Sequence, residues 1–167
     1  MAKRKIRSSR GFTLVEMLCT VVVLVLISAL MAIGVRTAVQ SFRKSVMSSE
    51  SRVLCTTLRT IVSDELRYSS NIEQSNDKWT YFSQSYGGQG SSFSTDENGQ
   101  VVVVNRNNEI KNVLSAKSYS YGMRANVNIT DYDADTRIFS ATVTVTDQNG
   151  KTLAETDFQV ERLNTSQ

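Results

Sequence analysis

The chain has 167 residues, with 19 lysines and arginines against 16 acids, two cysteines, no histidine and no proline. That length allows one domain plus an added helix, and the missing imidazole removes the commonest general base and zinc ligand. Five of the 19 basic residues lie in the first 11 positions, leaving 14 against 16 acids from Phe12 onward, a net side-chain charge of −2; nucleic acid as a partner is therefore unsupported, because a general nucleic-acid surface needs a basic face.

Residues 1–11 contain Lys3, Arg4, Lys5, Arg7 and Arg10 and no acid. They read as a basic leader, a processing segment outside the fold. From Phe12 to Val35 the chain runs for 24 residues with a single charge, Glu16, and with Thr20 and Ser28 as the only hydroxyls after Met17. About 20 apolar residues in a helix cross the hydrocarbon core of a bilayer, so this run is long enough to span one. Met17, Leu18, Val23, Leu26 and Leu30 are representative of its apolar side chains. An acid inside such a helix costs roughly 2.5–3.5 kcal/mol near a bilayer centre, and less near the interface, so Glu16 asks for a partner. An ordinary secretory signal has a shorter apolar core of about 7–15 residues, and no acid is expected inside it. A plain single-pass anchor accounts for the length but not for the glutamate.

Beyond Arg36 no Pro or Gly interrupts the chain before Tyr68, so the helix is expected to continue to that point. Val35, Val39, Phe42, Val46, Val53, Leu54, Leu58, Ile61, Val62 and Leu66 recur at helical spacing. They form an amphipathic stripe expected to pack on the chain's own sheet. Cys19 and Cys55 would stand ~50 Å apart on one helix and cannot form a disulfide within the molecule.

Residues 69–100 are polar and rich in Ser, Gln and Gly. They read as an irregular loop, with Trp79, Thr80, Tyr81 and Phe82 as a short strand or a loop anchor. The aromatic side chains there serve as core and loop packing or as a contact with a subunit or ligand. Strands are expected at 101–105, 110–114, 118–124, 126–130, 137–146 and 152–163. Asp147-Gln148-Asn149-Gly150 is a turn between the last two, which make the clearest hairpin.

Asp131, Asp133 and Asp135 are spaced like the first half of a calcium loop, but Thr136 and Thr142 stand where that pattern needs Gly and Glu. The two readings are a calcium site and a solvated turn, and no metal is assigned. Gly87-Gly88-Gln89-Gly90 lacks the lysine and following helix of a phosphate loop. No residue is assigned as catalytic, no cofactor is expected, and the protein is read as a non-enzyme.

The fold class is α+β: a long N-terminal helix on a C-terminal antiparallel sheet. The boundaries are a leader at 1–11, an apolar helix at 12–36, an amphipathic helix at 37–68 and a globular domain at 69–167. More basic residues precede the apolar run than follow it, which places the N-terminus in the cytoplasm and the C-terminal domain outside.

The basic leader, then Gly11-Phe12-Thr13-Leu14-Val15-Glu16-Met17-Leu18, then a long apolar helix, resembles the class III signal of type IV pilins and pseudopilins. The resemblance implies a pilin-like fold. It implies cleavage by prepilin peptidase between Gly11 and Phe12, N-methylation of Phe12, and Glu16 as the carboxylate that guides subunit assembly. It implies partners: like subunits in a helical filament, the peptidase, an inner-membrane platform protein, an assembly ATPase, and membrane lipid before assembly. The chain departs from many pilins in lacking a helix-kinking proline and a C-terminal disulfide loop. Subunits of pili (fimbriae), of type II secretion and of competence, the uptake of DNA, all fit the resemblance. The alternative of another class is a membrane-anchored binding module that never polymerises.

Overall fold

In this computed structural model the described residues are 13–75 and 78–163. The expected leader, with Gly11 and Phe12, lies outside them. The chain is α+β: one helix followed by eight strands in two antiparallel sheets. It divides into two compact units between Lys44 and Ser45.

Helix α1 runs from Leu14 to Arg67. Its first part carries long apolar side chains on every side, and all of them are exposed. Its last part is one-sided. Leu54, Leu58, Val62 and Leu66 step by four residues, together with Cys55, and all are buried. Each such side chain contributes roughly 1.5–3 kcal/mol on removal from water. The expected stripe was wider than the buried one. Val35, Val39, Phe42 and Val53 lie open to solvent. Val53 is rotated by about 100° from Leu54 on the helix and so falls off the narrow face that meets the sheet.

Five strands follow in the order β1 (Ser70–Ser75), β2 (Lys78–Ser83), β3 (Gly88–Thr95), β4 (Val101–Val104) and β5 (Ile110–Asn112), each pairing with the next. The polar segment expected to be an irregular loop thus forms β1 and β3, and the aromatic run read as a strand or a loop anchor is β2. Ser, Gln and Gly have low strand propensity, and pairing overrides it: β3 is held between β2 and the valine run of β4, where Phe93 faces Val103 and Thr95 faces Val101. Tyr81, Phe93, Val101 and Val103 form this sheet's buried face.

Two short 3₁₀ turns, Ala116–Ser118 and Ser120–Gly122, occupy the stretch where an alternating strand was expected. Here the chain passes from one sheet to the other. The Tyr119 hydroxyl accepts the Val101 N–H at 2.9 Å and draws its ring inward. Tyr121 is then turned out at φ 56°. The Tyr119/Tyr121 alternation records a corner and not a strand.

The second sheet is β6 (Arg124–Asp133), β7 (Ile138–Thr146) and β8 (Thr152–Glu161), in that order. β7 is central and strictly alternating: Phe139, Ala141, Val143 and Val145 point inward. The last hairpin closes as expected, with Asp147 Oδ1 accepting the N–H groups of Asn149 and Lys151 and Gly150 at φ 81°. The end of α1 lies on this sheet. The Cys55 thiol sits 3.6 Å from the Val143 carbonyl oxygen, and the Arg59 guanidinium lies 5.8 Å from the centre of the Phe158 ring. The Leu163 N–H donates to the Arg67 carbonyl at 2.8 Å, fastening the residues after β8 to the helix end.

Candidate processing and assembly site

The start of α1 is a closed hydrogen-bonded unit. Thr13 stands just before the helix and Glu16 is its third residue. The Thr13 N–H and hydroxyl both donate to one Glu16 carboxylate oxygen, at 3.0 and 2.9 Å. The Glu16 N–H donates back to Thr13 Oγ1 at 3.3 Å. This is a capping box, which satisfies two of the N–H groups that a helix start leaves without partners. The carboxylate also meets the positive end of the helix dipole. Sequence reading singled out Glu16 for its charge and missed Thr13, although the Thr-x-x-Glu signal is present.

After Glu16 the surface of the helix is hydrocarbon. Met17, Leu18, Val23, Leu26 and Leu30 are each at least half exposed. The hydroxyls in this part turn back on the helix: Thr20 donates to the Met17 carbonyl at 2.8 Å and Ser28 to the Leu24 carbonyl at 2.8 Å. These groups therefore need no water, the condition for a helix in hydrocarbon. The helix is long and apolar enough to cross a membrane, and none of its most apolar window is buried within the chain. Cys19 is exposed here and Cys55 is buried in the second unit; both are free thiols. Gly11 and Phe12, the expected cleavage and methylation residues, lie outside the described residues.

Asp131 and Asp133 lie at the end of β6 and Asp135 in the turn that follows. Asp133 accepts the Thr136 hydroxyl at 2.7 Å and the Asp135 N–H at 2.9 Å, while Asp131 accepts the Tyr132 N–H at 2.8 Å. The Thr136 hydroxyl, then the Asp135 and Thr136 N–H groups, hold the Asp133 carboxyl below its ordinary range. No group of three His, Cys, Asp or Glu side chains suited to a metal occurs among the described residues.

The family described as "Prokaryotic N-terminal methylation motif" matches residues 6–33. No curated protein and no solved structure matches the chain. The N-terminal segment thus has the leader signature of precursors that are cut and N-methylated. It is the signature of type IV pilins and pseudopilins, and Glu16 and most of the exposed apolar run lie within the match.

Proposed function

We propose that this protein is a structural subunit of a type IV pilus-like filament. It is made as a single-pass protein of the cytoplasmic membrane, with its N-terminus in the cytoplasm and its C-terminal domain exported. Prepilin peptidase cuts after Gly11 and methylates Phe12. The subunit then leaves the bilayer for an extracellular or envelope filament, through an inner-membrane platform protein and an assembly ATPase.

One observation carries this reading: the part of α1 up to Val35 has every side chain exposed and a single charge, and that charge lies inside the methylation motif. Exposed hydrocarbon of this extent needs lipid or other helices around it. A filament of like subunits provides the second environment after the membrane has provided the first. Glu16 gives the transfer its register, since a carboxylate in an apolar bundle gains most by meeting the new amine of Phe12 on a neighbouring subunit.

The test is the intact mass and N-terminal sequence of the protein from its own membranes, with and without the prepilin peptidase. A chain beginning at methylated Phe12 only when the peptidase is present supports the reading. A chain beginning at Met1 or Ala2, or one cut near Ala32, overturns it in favour of an anchored or secreted domain.

A further inference from the structure

A second site lies far along the sequence from the helix start. β6 is fastened against the first sheet at two points. At one, the Thr95 hydroxyl lies 3.1 Å from the Ala125 carbonyl oxygen and 3.0 Å from Asn126 Oδ1. At the other, Trp79 and Tyr132 meet edge to face, with ring centres 5.9 Å apart at 72°. Between these points is a cleft of about 250 Å³. Phe93, Val127 and Trp79 contribute its apolar surface; Ser92, Ser94 and Asn128 contribute neutral polar groups. Among the described residues, the side chains of Ser92, Ser94, Asn128 and Lys78 have no hydrogen-bond partner in the protein. The indole, by contrast, is fixed by its contact with Tyr132.

We propose that this cleft binds a mono- or disaccharide unit of a neutral glycan. A sugar ring offers a C–H face that packs on a fixed indole and a rim of hydroxyls that both donate and accept. Serine hydroxyls and an asparagine amide match such a rim, because each also donates and accepts. The volume lies below that of an ordinary drug-sized pocket and suits a small ligand. Charge argues against a polyanion. Among the described residues Lys78 is the only cation lining the cleft, and nucleic-acid affinity rests on several phosphate contacts. Glu155 and Asp157 stand in the same cross-strand rows as Asn126 and Asn128, with Thr144 and Thr142 between, about 10 Å away. The proposal does not depend on filament assembly, and it can fail or hold whichever way the processing test falls.

Trp79 is the chain's one tryptophan, so its emission reports on this cleft alone. The experiment titrates the full chain, held in a detergent without a sugar headgroup, with neutral hexoses, N-acetylhexosamines, uronic acids and a single-stranded oligonucleotide. The expected result is a saturable emission change with one class of neutral sugar. It should weaken about tenfold or more, a loss of about 1.4 kcal/mol, in Ser94→Leu and Asn128→Leu, and stay unchanged in Thr144→Ala on the neighbouring strand. Circular dichroism of each variant establishes that it is folded. No saturable change with any neutral sugar, undiminished binding by folded Ser94→Leu and Asn128→Leu, or a response to the oligonucleotide alone overturns the proposal.

Discussion

Thr13 and Glu16 hold each other across the first turn of α1, with three hydrogen bonds between two residues. One oxygen of the carboxylate is therefore engaged by its own helix, and capping can be separated by experiment from any role of the charge.

Glu16→Gln separates them, because an amide oxygen still caps the helix but carries no charge. Amide exchange at Leu14–Glu16 in micelles should be near wild type in Glu16→Gln. It should be faster in Glu16→Ala, by an amount equivalent to about 0.5–2 kcal/mol. Both variants should fail to enter filaments if the charge guides assembly. Wild-type filament yield from Glu16→Gln would leave capping as the only role of the residue.

The narrow buried face of α1 sets a contrast between neighbouring apolar residues. Leu58 is fully buried, whereas Val53 is 64% exposed. Leu58→Ala should cost about 2–5 kcal/mol. Val53→Ala should stay within about 0.5 kcal/mol. Thermal melts followed by near-ultraviolet circular dichroism compare the two, and equal losses would mean that the packed face is wrongly placed.

Gly99 joins the two sheets. Its carbonyl accepts the Ala125 N–H at 2.8 Å, its φ is 79°, and a methyl group added there would run into the Cβ and Cγ of Arg124. Gly150 has a similar φ of 81° but open space around it. Both alanine variants pay for the left-handed backbone, about 1 kcal/mol or more. Only Gly99→Ala also forces β6 away from the turn, so it should lower the melting temperature clearly more than Gly150→Ala.

Tyr81 gives the fold an alkaline limit. Its hydroxyl is buried without a partner among the described residues. Burial, then the Glu65 carboxylate, then Tyr86, push the phenol well above its ordinary value. The folded state therefore keeps a proton that the unfolded chain releases near pH ~10. This contribution is fully present below that pH and is lost as pH rises from it toward the folded value. Tyr81→Phe should flatten the alkaline fall and, by removing an unpaired buried hydroxyl, leave stability at neutral pH equal or higher. A steeper alkaline fall in Tyr81→Phe would refute this account.

Asp133 gives the opposite dependence. Its lowered value means that the stability it lends the β6–β7 turn is present above the ordinary carboxylate range and disappears as pH falls through the folded value. The Thr136 amide, which donates to Asp133, should lose exchange protection at low pH, and Asp133→Ala should remove that protection at every pH. Addition of calcium should leave the melting temperature unchanged, since the Asp133 oxygens are already taken up within the turn.

The sequence alone determined the elements that local signals define. A run without Pro or Gly from Val35 onward carried the helix to Arg67. The alternation of β7 and the Asp147–Gly150 turn specified the last hairpin. Glu16 stood out because an acid in a hydrocarbon run is costly without a partner. Tertiary structure decided what depends on partners. Strands β1 and β3 are too poor in apolar and branched residues to announce themselves, and they exist because the aromatic β2 and the valines of β4 offer them ladders. The width of the buried helix face, the corner at Tyr119–Gly122 and the cleft between Trp79 and Asn128 all follow from how two sheets meet. Residues about 50 positions apart meet there, and a local pattern holds no information about such a meeting.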